Sequence, residues 1–290
     1  MTTRFPGLVP LLLLVSALLG ACANPPSAVP KDTLARISQT QTIRLGFRED
    51  AKPFAFKGPD GAPAGYSVEL CKRVVTSLKS QLNLAKLDVQ WVPVTVASRM
   101  PAVMDGTVDL ECGSTSRTLG RERQVDFSNT IWVEGASYVS LSSKPIARAA
   151  ELNGKRVGVI PGSTTEKVLK GLSERGVVPV FVTVQTHTDG IAAVRDGRAD
   201  AYATDRLILV GEVLGGPAGS TLRLGDDYLS METYSLMMRR DPDMRLAVNR
   251  ALSDIYRSGE IVNVFRQAFP PSAVPSPLIE AVYVLNALPE

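Results

Sequence analysis

Hydrophobic and polar positions alternate along the chain on two scales. Apolar runs of strand length occupy 42–46, 87–94 and 110–112 in the first half, and 156–160, 178–184 and 199–204 in the second. Between them, apolar residues recur at helical spacing over 68–82, 99–104, 164–174 and 189–195. Strand-length runs followed repeatedly by amphipathic stretches predict an α/β protein assembled from βαβ units. One element is repeated: Met104-Asp105-Gly106-Thr107-Val108-Asp109-Leu110 corresponds to Arg195-Asp196-Gly197-Arg198-Ala199-Asp200-Ala201. Each copy reads as a helix end, a Gly suited to the left-handed position that stops a helix, and an Asp before a short strand. Two such successions favour two alike lobes over one large sheet, with a ligand held between them at strand carboxyl ends.

The amino terminus breaks this rhythm. Arg4 precedes an apolar run at 8–19, interrupted by Pro10. The run is shorter than the roughly 20 apolar residues that span a bilayer, and small residues follow it, as in an export signal. Leu19-Gly20-Ala21-Cys22 resembles a bacterial lipobox, in which Cys22 is lipidated and becomes the first mature residue; ordinary secretion with cleavage near Ala21 or Ala23 is the alternative. The expected organisation is a lipoprotein-type signal peptide at 1–21 and a Pro-rich flexible tether at 22–38. The mature protein is then expected in the periplasm or on the outside of the cytoplasmic membrane, touching the membrane only through its lipid.

Composition narrows the chemistry. Across 290 residues, 32 Lys and Arg nearly balance 29 Asp and Glu, so a net charge of +3 gives no general attraction to nucleic acid. One His and three Cys, with no Cys-x-x-Cys, are too few for a zinc or iron–sulfur framework, and neither a metal nor a cofactor is expected. The sole His excludes any His-dependent triad that does not use His187, and no Gly-x-Ser-x-Gly occurs. Export permits a disulfide between Cys71 and Cys112, the pair that remains after Cys22; two buried thiols are the alternative.

Polar loops at strand ends supply the candidate contacts. Ile160-Pro161-Gly162-Ser163-Thr164-Thr165-Glu166 joins a strand to a helix, and Ser163 with Glu166 has capping-box spacing. A helix start of this kind accepts a carboxylate or phosphate, although every helix also needs a cap. Glu111-Cys112-Gly113-Ser114-Thr115-Ser116-Arg117 follows another strand, with Arg121 beyond it; hydroxyls plus a guanidinium suit a carboxylate. Arg48 and Arg99 each follow a strand beside apolar residues, and His187 lies in Gln185-Thr186-His187-Thr188-Asp189 just after another.

Taken in order, Arg44-Leu45-Gly46-Phe47-Arg48-Glu49, Gly65-Tyr66-Ser67-Val68-Glu69-Leu70-Cys71, Glu111-Cys112-Gly113-Ser114-Thr115, Asp126-Phe127-Ser128 and Gly154-Lys155-Arg156-Val157-Gly158-Val159 resemble the family 3 bacterial extracellular solute-binding proteins of amino-acid ABC importers. The resemblance runs from about Thr42 to Phe269 and is greatest to the glutamate/aspartate-binding branch. It implies a type II periplasmic-binding-protein fold: 39–134 with 233–290 as the first lobe, 135–232 as the second, and a hinge of two crossings. Within it, Arg121 matches the clamp on the α-carboxylate and Asp205 the carboxylate that takes the α-ammonium. Ser114 and Ser116 match the hydroxyl loop of the first lobe, and Ser163, Thr164 and Thr165 the helix start of the second. Arg48, Arg99 and His187 match residues that meet an acidic side chain. Val96 replaces a Ser of that branch, and Arg206 stands where a second Asp is common.

The implied protein is a monomeric binding protein that captures glutamate or aspartate and hands it to a membrane permease. Charge supports this, because a buried dicarboxylate amino acid needs partners for two negative groups and one positive group. Three arginines and one Asp supply them, with a surplus that further acids must balance. Glutamine or arginine is the rival ligand, but a basic ligand would want acids where Arg48 and Arg99 stand. A dehydratase of cyclic amino acids would need His187 or Glu166 as proton carrier, and no paired acid and base is visible.

Overall fold

The computed structural model describes residues 1–3, 32–214 and 221–289. Residues 4–31, with Cys22 and most of the export signal, lie outside them, so lipidation remains an expectation from sequence. Two five-stranded sheets define two lobes with the same plan. In the first, the order is Asp88–Pro93, Thr42–Phe47, Leu110–Glu111, Glu232–Met238 and Asp126–Glu134. In the second it is Val180–Thr183, Arg156–Val159, Ala201–Asp205, Ala136–Leu141 and Leu222–Leu224. Three strands are parallel in each sheet, and the fourth runs against both neighbours. The chain passes between sheets twice, at Gly135 and between Leu224 and Glu232.

The repeat seen in the sequence is structural. Gly106 and Gly197 have φ of 79° and 72°, the left-handed conformation that ends the preceding helices. The Asp that follows performs the same task in both lobes. Asp109 accepts from the Arg44 amide at 2.7 Å and its guanidinium at 2.8 Å; Asp200 accepts from the Arg156 amide at 2.9 Å and its guanidinium at 2.8 Å. Each clamp ties the start of one strand to the start of its neighbour, so register is set twice by one device.

The predicted elements form with shifted ends. The helix Tyr66–Gln81 starts earlier than its apolar pattern suggested and buries Tyr66, Leu70, Val74 and Leu78 at four-residue spacing. The helix Thr164–Gly171 passes into a 3-10 turn, Leu172–Arg175, which left-handed Gly176 ends. The range 22–38 is not a tether throughout. Asp32 accepts from the Ala35 amide at 2.9 Å and caps a helix, Thr33–Thr40, whose Ile37 is fully buried in the first lobe.

Cys71 and Cys112 are bridged, with their Cα atoms 6.2 Å apart, which fastens the helix Tyr66–Gln81 to the end of the strand Leu110–Glu111. The carboxyl segment packs on the first lobe. In its helix, Pro277–Leu285, Ile279 and Val282 are buried, and the Tyr283 hydroxyl lies 3.1 Å from that of Tyr66.

Candidate functional site

Between the lobes, strand ends and helix starts from both sheets surround one small polar cavity of about 20 Å³. Nine of the ten candidate residues line it: Arg48, Arg99, Ser114, Ser116, Ser163, Thr164, Thr165, His187 and Asp205. The apolar part of the wall is Val96, Ile160 and Ala203. Arg121 is not part of this lining. Its guanidinium donates to the carbonyl oxygens of Ser116 at 2.8 Å and Gly162 at 3.4 Å, and so joins the two polar loops across the lobes.

Two further bonds cross the cleft. The Ser116 and Thr164 hydroxyls are 3.2 Å apart, and the His187 amide donates to Asp50 Oδ2 at 3.0 Å. The loop that carries Ser114 and Ser116 follows directly from disulfide-bonded Cys112, which anchors it to the core. Ser163 accepts from the Glu166 amide at 3.1 Å and so caps its helix, while Glu166 reaches back to the Gly162 amide at 2.8 Å. Thr164 and Thr165 open the helix with their amides and the positive end of its dipole.

The cations differ in how they are compensated. Arg48, 3% exposed, forms an ion pair with Asp50 at 2.7 Å. Burial acts to raise the Asp50 carboxyl, but Arg48 and His187, with the hydrogen bond from the His187 amide, hold it below its ordinary range. Arg99 is 4% exposed, and its Nε has no hydrogen-bond partner. Burial lowers its pKa to about 10, only partly opposed by Glu111, so it remains a cation at neutral pH. Glu111 is itself fully buried; one carboxylate oxygen accepts from Thr115 at 2.7 Å and the other is unpaired.

His187 is not a loop residue. Thr186 accepts from the Asp189 amide at 3.0 Å and starts the helix His187–Arg195 two positions earlier than the apolar pattern suggested. The ring is 3% exposed, with Nδ1 2.7 Å from the Tyr202 hydroxyl. Burial, together with Arg48 and Arg99, pushes its pKa down to about 3. The side chain is therefore neutral near pH 7 and serves as a hydrogen-bonding group. Asp205 shifts the other way: burial first, then Glu232 and Glu134, raise it to about 7.

Asp50, Glu111 and Tyr202 were not singled out from the sequence. Asp50 adjoins a quoted motif and Glu111 opens one, and the excess of arginines was the signal that buried acids were still to be found. Tyr202 carried no signal beyond its place in a buried strand.

The lobes and their cleft are those of the type II periplasmic binding proteins. A histidine-bound ABC uptake transporter substrate-binding protein from Streptococcus pneumoniae shares the fold with a TM-score of 0.74 at 21% identity, covering 82% of this chain and 96% of that one. Residues 43–271 match the model of the bacterial extracellular solute-binding proteins, family 3, and the chain belongs to that family. Among its relatives, an L-glutamate/L-aspartate-binding protein of Pseudomonas aeruginosa is 34% identical over 271 residues, 90% of each chain. A glutamate/aspartate import solute-binding protein of Escherichia coli is 30% identical over 261 residues, 89% of this chain and 86% of the relative.

Proposed function

We propose that this protein captures glutamate or aspartate outside the cytoplasm and delivers it to the permease of an ABC importer, without chemical turnover. The observation that carries this reading is Arg99: a buried cation lining the cavity, with its Nε unpaired. A buried charge of this kind is costly until an anion meets it. Arg99 and Arg48 take the distal carboxylate, with His187 as a neutral hydrogen-bond partner. Asp205 takes the α-ammonium. Ser114, Ser116, Ser163 and the start of the helix Thr164–Gly171 receive the α-carboxylate, with Arg121 beside them. The relatives named for glutamate and aspartate support the choice of ligand.

Residues of both lobes line the cavity and three hydrogen bonds cross the cleft beside it, so entry requires the lobes to part. Parting breaks the contacts Ser116–Thr164, Arg121–Gly162 and Asp50–His187, and closure on the ligand restores contact between the lobes. Ligand binding is then a shift in population toward the closed form. A thermal-shift screen of the twenty amino acids, followed by calorimetry, tests the reading. Glutamate and aspartate are expected to raise the melting temperature at micromolar concentrations; stabilisation by glutamine or arginine alone overturns it.

A further inference from the structure

We propose that Asp50 sets ligand selectivity by acting as a fixed counter-ion inside the cleft, so that the distal pocket presents a full charge from Arg99 and a compensated one from Arg48. This rests on the assignment of an acidic ligand above. Asp50 lies in the short strand Asp50–Ala51 of the first lobe and reaches two groups at once. One oxygen accepts from Arg48 at 2.7 Å; the other accepts from the His187 amide, at the first position of a nine-residue helix of the second lobe. Both Arg48 and His187 line the cavity.

The charge arrangement has a consequence for which ligands are accepted. With Asp50 ionised, a ligand carboxylate entering between Arg48 and Arg99 is attracted by two cations, and, beside the buried Glu111 whose field already acts on Arg99, it is repelled by one further anion, Asp50. Removing that anion deepens the local positive potential, and the gain falls on an ionised ligand side chain and scarcely on an amide of the same shape. Asp50 thus moderates the preference for glutamate over glutamine. Its second bond, across the lobes, favours closure on any ligand, and that contribution cancels in the ratio of two affinities. The ratio therefore separates the electrostatic role from a merely structural one.

The test compares wild type with Asp50→Asn, measuring glutamate affinity by calorimetry and glutamine affinity by displacement of radiolabelled glutamate. Glutamate selectivity is expected to rise at least tenfold in the variant, even if both affinities fall. A ratio within threefold of wild type overturns the role of Asp50 while the acidic-ligand reading stands. Failure of wild type to bind either glutamate or aspartate overturns both. Where glutamine displaces nothing at millimolar concentration, the salt dependence of glutamate affinity decides: a steeper loss of affinity with added salt in the variant supports the proposal, an equal or shallower one overturns it. If Asp50→Asn does not fold, Asp50→Ser removes the same charge and takes its place.

Discussion

Arg48 donates to Asp50 at 2.7 Å, and this pair gives two neighbouring buried arginines opposite relations to stability. Arg48 has a counter-ion inside the protein; Arg99 forms no ion pair among the described residues and leaves its Nε unsatisfied. Removing Arg48 leaves the Asp50 carboxylate, 17% exposed, without its hydrogen-bonded cation, whereas removing Arg99 relieves a desolvated charge and forfeits only an unbonded attraction to Glu111.

The two substitutions should therefore separate stability from binding. Arg48→Ala is expected to lower the free energy of unfolding by about 2–3 kcal/mol in urea titrations without ligand. Arg99→Met is expected to leave it unchanged or raise it by about 1 kcal/mol, since an aliphatic chain of similar length fills the same space. Both should weaken glutamate binding by at least about 100-fold, or about 2.7 kcal/mol. Wild-type affinity in both variants would remove the acidic-ligand assignment. An Arg99→Met protein less stable than Arg48→Ala would contradict the contrast between the two cations.

The disulfide connects the core to the ligand loop. Bridging Cys71 and Cys112 closes a loop with a sequence separation of 41, for which chain entropy predicts about 4 kcal/mol of stabilisation. The Cys71→Ser/Cys112→Ser protein should show a correspondingly lower urea midpoint. Because Cys112 leads straight into Ser114 and Ser116, its affinity for glutamate should also fall. An unchanged midpoint would show that the denatured chain is not restrained by the bridge.

Gly190 illustrates a restriction on the site that comes from packing. A Cβ there would lie 2.3 Å from the ring of Tyr202, which is fully buried and cannot move aside. Gly190→Ala should displace that ring, break its hydroxyl contact with His187 Nδ1, and cost about 1–3 kcal/mol through overpacking. Tyr202→Phe removes the hydroxyl alone and should cost about 1 kcal/mol. If circular-dichroism melts place the two variants together, the ring clash is being relieved elsewhere.

The repeated Asp-Gly-x-x-Asp element, the alternation of strand and helix, and the polar loops of the cavity were legible because they depend on local rules: a left-handed Gly, a capping hydroxyl, a polar loop after a strand; Asp205 was reached only through the family resemblance. The motif order then joined these loops in one cleft. Three aspects were hidden. The start of the helix at His187 depends on the Thr186 side chain, a cap that hydrophobic periodicity does not register. The bond from the His187 amide to Asp50 and the contact of Tyr202 with His187 are tertiary facts. Arg121 was expected on the ligand; it donates to the Ser116 carbonyl of its own lobe and to that of Gly162, and the second bond depends on how closely the lobes approach.

Proton linkage gives the binding reaction a pH dependence of defined sign. Burial, with Glu232 and Glu134 nearby, raises Asp205 to about 7 from an ordinary 3.8, so the folded protein holds this proton more tightly than the unfolded chain. The contribution of Asp205 to stability is then full below about pH 4 and is lost as pH rises through about 7. An α-ammonium beside Asp205 reverses the preference, because a cation favours the carboxylate and lowers its pKa. Glutamate binding between pH 5 and 7 should therefore release a proton, and affinity should strengthen as pH rises across that range. His187, pushed down to about 3 in the ligand-free protein, is neutral there across this range. Calorimetry in two buffers of different ionisation enthalpy reads the protons directly. Release approaching one proton at pH 6, absent in Asp205→Asn, is the expected outcome; no proton exchange in wild type would place the ammonium away from Asp205.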